Sequence, residues 1–399
     1  MRWPWQRRRR EELQPVVVPE PAGAMLPRPL IIVVAIAATI GSLILLHEIA
    51  SFVAPVFLGL NLVIAVMPLG ALLRRAGAPK LVAALVSMLT VYGFLVVLLW
   101  SLYWSVQSLV AELPQYSAEF NLLYRQVLEW LEGFGISQDE AFEQVRAALS
   151  PSAITGALSS VASNAGSVLG FLATLFIVIF FLTWDSVHLP ERMQRIAATH
   201  PGLVRGVDRF AQGVQRYWVV TTIFGLIVSA LDLVALSILG VPLAFVWAVF
   251  AFVTNYIPNI GFVVGVIPPT LMALLANGPL NALLTAILFS VINFVMQSLI
   301  QPKVAGDAVG VTPATSFLSL LVWAFALGPV GALLALPATL AVKTLLIDPE
   351  PRLAWMNRLI AHRPDAQEHG RLGRAVAPGV APRTRPQRTD AGRAGASGR

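Results

Sequence analysis

The sequence predicts an all-α, polytopic integral membrane protein, and three observations carry that prediction. Of its 399 residues, 57% are hydrophobic and only 12% charged, where a soluble domain carries roughly 25% charged residues. Mean hydropathy is +0.74. Charge is also missing from long blocks of sequence, several of them beyond the about 20 apolar residues that a bilayer-crossing helix needs. So few charges could not cover a soluble globule, and so apolar a chain would not stay disordered. Cysteine is absent, which excludes a disulfide framework, a thiolate metal site and a cysteine nucleophile.

Each element follows in order. Segment 1–29 is basic, with Arg2, Arg7, Arg8, Arg9, Arg10 and Arg28. Residues 30–111 hold three spans: the charge-free runs Leu30–Leu46 and Ile49–Leu73, joined at His47-Glu48, then Leu81–Ala111. A signal peptide is rejected, because the apolar run starts late, lacks a small-residue cleavage site and is followed at once by another span. Segment 112–160 is amphipathic, with Leu113, Tyr116, Phe120, Leu123, Val127, Trp130 and Phe134 on one helical stripe. Ser137 and Glu140 fit a capping box that opens a second short helix. These helices suit a subunit contact in a homo-oligomer, a lid over an outer vestibule, or packing onto the protein's own outer surface. A fourth span occupies 161–184, and the connection 185–216 carries Arg192, Arg195, Arg205, Arg209 and Arg216.

Segment 217–346 differs in kind. Before Lys343 it holds only Asp232, Lys303 and Asp307 as charges, and Leu233–Pro302 has none. The tail, 347–399, is rich in Ala, Arg, Pro and Gly and is expected to be largely disordered. Positive-inside placement puts both termini, the Arg74–Lys80 turn and 185–216 in the cytoplasm, and 112–160 outside. The basic termini then meet anionic lipid, and no nucleic-acid partner is expected.

Parity requires an even number of crossings between 217 and 346. Tyr217–Leu239 and Leu280–Ile300 are long enough to cross. Val241–Tyr256 with Ile260–Ala276 is broken at Pro258, and Thr312–Leu327 with Gly331–Leu346 is broken at Gly328-Pro329. Both pairs read as helical hairpins that enter and leave on one side, giving about six full spans plus two broken-helix hairpins. Eight or more full spans satisfy parity equally.

No catalytic constellation is present. His47-Glu48 lacks the second histidine of a zinc-protease helix, and no phosphate-binding loop of a motor ATPase occurs. Neither a cofactor nor a metal is expected, and the protein reads as a non-enzyme. Transport chemistry is better represented. Asp232 is the one carboxylate inside a span, so it should face the bundle interior, pair or be protonated. Thr222, Gly225, Ser229 and Asp232 share one small polar helix face. Asp232 is therefore a candidate proton or ion relay, or a structural anchor between helices. The amides Asn255, Asn259, Asn277, Asn281, Asn293, Gln297 and Gln301 cluster around the breaks. There they can ligate a neutral polar solute or tie helices together. The candidate path comprises Asn255, Asn259, Gln297 and Gln301 with the breaks at Pro258, Gly261, Pro302, Gly328 and Gly331.

The breaks also form an ordered pattern. Asn255-Tyr256-Ile257-Pro258-Asn259-Ile260-Gly261 is followed by Ile267-Pro268-Pro269 and Gln301-Pro302-Lys303-Val304-Ala305-Gly306. Gly310-Val311-Thr312-Pro313, Gly328-Pro329-Val330-Gly331 and Leu336-Pro337 complete it. From about Leu30 to Leu346 the chain resembles the autoinducer-2 exporter family of permeases, also called PurR-regulated permeases. The resemblance implies a secondary transporter of the bacterial inner membrane that exports a small polar metabolite such as an autoinducer-2-like signal. It leaves a monovalent cation/proton antiporter as the alternative. A non-transporting membrane scaffold is the alternative of another class. Family members often carry an acidic residue just before the proline at 302. The run Met296–Gln301 has none here, which favours a neutral solute.

Overall fold

The computed structural model describes residues 27–119, 121–122, 125–126, 156, 165–258, 260–301 and 312–349. Among them every regular element is a helix. The expectations for most of 112–160, including the capping box, and for the two terminal segments lie outside the described residues. In chain order the elements begin with α1 (Arg28–Glu48), α2 (Ala50–Arg75), α3 (Lys80–Glu112), α4 (Ala165–Ser186), α5 (Leu189–Thr199) and α6 (Pro201–Ile238). They continue with α7 (Ala244–Thr254), α8 (Gly261–Asn277), α9 (Pro279–Asn293), α10 (Pro313–Leu333) and α11 (Ala335–Val342). Two π-helical segments, Phe294–Ile300 and Lys343–Ile347, extend α9 and α11.

Seven of the described helices are long and apolar enough to cross a membrane. Six coincide with the spans read from sequence. The seventh, Pro313–Leu333, is interrupted at Gly328, whose φ of 65° and ψ of −149° leave the helical region. Glycine alone adopts that geometry without strain. This element is therefore the first arm of the expected second hairpin, turning at Gly328-Pro329 and continuing into α11. The first hairpin is α7 and α8. With 11 residues, α7 reaches about 16 Å, half of the about 30 Å of a bilayer's hydrocarbon core.

The connection between the fourth and fifth spans is itself helical. The connection 185–216 contains α5 and then the first four turns of α6, which runs unbroken from Pro201 to Ile238 over 38 residues. Its arginines marked a membrane edge, yet nothing in Gly202–Arg216 stops a helix. Gly206 and Gly213 instead let the last turns of the chain approach closely. A Cβ at Gly206 would sit 2.8 Å from the Thr344 carbonyl oxygen, and one at Gly213 would strike Leu340.

Packing concentrates where α2, α3, α4 and α6 meet. Leu62, Val91, Leu175, Ile179, Val214, Tyr217 and Leu334 are buried in one cluster. Gly59 of α2 brings its backbone against Val178 and Leu175 of α4. Lipid tails are as apolar as these side chains, so close packing and hydrogen bonding, rather than water exclusion, hold the helices together. The Tyr92 hydroxyl, which donates to the Phe176 carbonyl at 2.8 Å, adds such a bond between α3 and α4. The outward faces stay apolar, with Ile32 and Val33 of α1 59% and 61% exposed. Amphipathic α5 carries exposed ion pairs, Lys80–Glu191 and Arg192–Asp185, both at 2.9 Å. The Lys80 ammonium, hydrogen-bonded to Glu191, holds that carboxyl below its usual range.

Candidate functional site

The first hairpin is a tight object because glycine lines its inner face. A Cβ on Gly261 would collide with the Thr254 carbonyl, and one on Gly265 would lie 2.9 Å from the Thr254 hydroxyl oxygen. Only hydrogen at these two places lets α8 return directly against α7. The hairpin's open end is tied by amides. Asn277 donates to the Leu239 and Gly240 carbonyls at 3.0 Å each, and Asn281 donates to Leu239 at 3.2 Å. These two amides therefore fill the carbonyls just past the end of α6 and hold helix ends together.

Within the hairpin, four helices converge on a small cavity lined by Val228 and Asp232 of α6, Ala251, Thr254 and Asn255 of the α7 end, Phe262 and Gly265 of α8, and Phe289 and Asn293 of α9. Its volume is about 10 Å³, close to the minimum for one water molecule. Asp232 is fully buried there. Among the described residues, neither of its carboxylate oxygens has a hydrogen-bond partner. A buried polar group without a partner costs about 1–3 kcal/mol, and more when charged. The position therefore carries a standing cost to the fold.

Beside it runs an amide chain. Gln297, in the first π segment, donates through Nε2 to the Asn255 side-chain oxygen at 2.8 Å and to the Asn293 side-chain oxygen at 3.0 Å. Asn293 in turn donates to the Phe289 carbonyl at 2.9 Å. The cavity wall is thus rich in acceptor oxygens: two from Asp232, one from each asparagine and the Thr254 hydroxyl. No group of three His, Asp or Glu side chains comes together among the described residues, so this wall offers one carboxylate and neutral oxygens.

The tips of the two hairpins meet on Tyr217 of α6. Its hydroxyl donates to the Tyr256 carbonyl at 3.0 Å and the Leu333 carbonyl at 3.3 Å. The Tyr256 hydroxyl pairs with that of Thr222 at 2.8 Å. Trp218 and Phe252 pack on the Tyr256 ring with centroids 5.4 and 5.5 Å away.

The sequence-derived residues divide accordingly. Asp232 and Asn255 line the cavity and Gln297 braces its wall, while Pro258 and Gly261 shape the turn beside it. Gln301 is half-buried at the end of the π segment and does not line the cavity. Gly328 and Gly331 belong to the second hairpin, which meets the first through the tip contact on Tyr217 and a shared apolar cluster rather than at the cavity. Asn259 and Pro302 lie outside the described residues. Sequence reasoning missed Thr254, Gly265 and Tyr217. The Thr254–Gly261 and Thr254–Gly265 spacings carry a signal only once a hairpin is assumed.

The AI-2E family transporter model matches residues 30–348. The chain is 30% identical over 297 residues to the AI-2 transport protein TqsA of Escherichia coli (strain K12), covering 74% of this chain and 86% of TqsA. It is 29% identical over 301 residues to YhhT of the same strain, covering 75% and 85%. A Haemophilus influenzae protein is 30% identical over 306 residues, covering 74% and 86%.

Proposed function

The chain belongs to the AI-2E transporter family, and as a membrane transporter of that family we propose that it exports a small, uncharged polar metabolite of the autoinducer-2 type by secondary transport. One observation carries this reading: a fully buried carboxylate with no hydrogen-bond partner among the described residues shares a cavity with an amide chain, beside a hairpin whose tip meets the tip of another on Tyr217. Amides offer donors and acceptors to a polyhydroxylated solute without the cost of burying an ion. Asn255 and Gln297 are the solute contacts nearest Asp232, which serves as proton relay. A cavity of about 10 Å³ has no room for a metabolite, so this conformation is closed and the hairpins part to admit the solute. Alternating access by movement of the hairpin half against the first four spans accords with that closure. Localisation is the bacterial inner membrane with both termini cytoplasmic, supported by the arginine distribution. Anionic lipid contacts the basic termini, and the outer helices offer a homo-oligomer contact.

Metabolite profiling of medium and cells, with and without the protein, tests the substrate class: a selective shift in one polar solute is expected. Asp232→Asn tests the relay. If the variant folds and export keeps the wild-type pH dependence, the relay is wrong.

A second reading rests on the same wall. Its acceptor oxygens, single carboxylate and water-sized volume also suit a small monovalent cation, which would make the protein a cation/proton antiporter. Absence of sodium- or lithium-driven proton flux in vesicles removes that reading.

A further inference from the structure

The second hairpin contains two prolines in its returning arm, Pro329 and Pro337. Proline has no N–H, so the carbonyl four residues earlier loses its helical donor. The carbonyls emptied in this way belong to Phe325 and Leu333. In a membrane interior such a group must find another partner. Each has one, and in both cases it comes from a helix outside the hairpin. His47, at the end of α1, places Nδ1 2.8 Å from the Phe325 carbonyl oxygen, and its ring stacks on the Phe325 ring with centroids 5.4 Å apart. Tyr217 of α6 donates to the Leu333 carbonyl at 3.3 Å.

A kink filled by its own helix, through a serine or threonine one turn back, would be independent of its surroundings. These kinks are filled only while the hairpin lies against α1 and α6. We propose that His47 and Tyr217 form a two-point latch that holds the second hairpin in the closed position by filling the two carbonyls its prolines have emptied. The Tyr217 hydroxyl carries a single proton shared between the Leu333 carbonyl and the Tyr256 carbonyl of the first hairpin. Displacing either tip leaves that proton to the other, so release of one hairpin tightens the hold on its neighbour. The two residues are positioning residues that touch no solute. The latch rests on the transporter reading for its purpose but not for its test.

Absence of native cysteine makes that test direct. Ala335, just beyond the Leu333 bond, is fully buried, and so is Ala273 in the first hairpin. Ala335→Cys and Ala273→Cys are each introduced alone into the full chain, and the rate of N-ethylmaleimide labelling is measured in proteoliposomes. Adding Tyr217→Phe is expected to raise labelling at position 335 about tenfold, the order expected for losing one hydrogen bond from a closed state. Labelling at position 273 should be unchanged, because the first hairpin keeps the Thr222–Tyr256 hydroxyl pair and the Asn277 and Asn281 ties at its open end. His47→Phe keeps the ring stacking but removes the donor and should raise the 335 rate by a smaller factor. His47→Gln retains a donor and should restore slow labelling. Acceleration at both positions together means general loosening and overturns the latch, as does no acceleration at 335. Equal rates for His47→Phe and His47→Gln remove the His47 point. The labelling needs no substrate, so failure to detect an exported solute would count against the function and leave the latch standing.

Discussion

The two hairpins share one construction and differ in what they enclose. In each, a glycine near the start of the returning arm presses against a backbone carbonyl at the end of the outgoing arm: Gly261 on Thr254 in the first, Gly331 on Trp323 in the second. In the second hairpin the polar side chains between the arms satisfy one another. The Trp323 indole N–H donates to the Thr339 hydroxyl at 3.0 Å, which donates to Ser319 at 2.7 Å. In the first, Thr254 turns back to its own Ala251 carbonyl at 3.2 Å, and Asp232 is left over. The same backbone device thus closes completely in one place and keeps an unfilled polar site in the other.

Breaking the shared device should have the largest effect. Gly261→Ala and Gly331→Ala each force a Cβ into a backbone oxygen, which cannot swing aside, and each should cost about 3 kcal/mol or more. Loss of monodisperse protein or a strongly lowered thermal midpoint in detergent checks this. Tolerance of one and not the other would show that the hairpins are not built alike. Next comes the unfilled site. Asp232→Asn supplies donors and removes a chargeable group, so it should raise the thermal midpoint while cutting transport at least about tenfold. A fall in both would make Asp232 structural.

Gln297→Ala leaves the Asn255 and Asn293 oxygens without their donor and should destabilise by about 1–3 kcal/mol while slowing transport. The matching change in the second hairpin, Thr339→Val, breaks the Trp323–Thr339–Ser319 chain and should cost about 1 kcal/mol. Its transport rate should remain near wild type, and a large loss there would erase the distinction between the hairpins. The smallest effect belongs to neither hairpin. Glu191→Gln removes an exposed pair with Lys80, whose side chains are 56% and 58% exposed, and should leave the thermal midpoint where it is.

Much of this architecture was legible in the chain. Charge-free length marked the spans, and Pro258, Gly328 and Pro329 marked the hairpin turns, because backbone that cannot be helical has few places to go in a membrane. The polar face of Thr222, Gly225, Ser229 and Asp232 was readable from spacing, and Gly225, Ser229 and Asp232 are buried. The amides were harder. Asn277 and Asn281 look the same in sequence as Asn255 and Gln297, yet they cap the end of α6. The difference lies in which carbonyls are nearby, and only the fold decides that. The continuity of α6 through Arg205–Arg216 was hidden because arginine signals the membrane edge and is also a good helix former. Proline arithmetic predicts the emptied Phe325 and Leu333 carbonyls but not that His47 and Tyr217 would fill them.

The π segment at Phe294–Ile300 has a consequence in genetic terms. Its closing bond runs from the Gln301 N–H to the Met296 carbonyl, five residues back instead of four, the spacing produced by one extra residue in an α-helix. Deleting a single codon there would let the stretch close as regular α-helix, because the π bulge absorbs the extra residue locally instead of passing a rotation along the helix. Gln297 meets Asn255 and Asn293 in the present register. A frame-preserving loss of one residue other than Gln297 would regularise the helix, so this stretch should tolerate such a deletion better than a regular turn of α9 would.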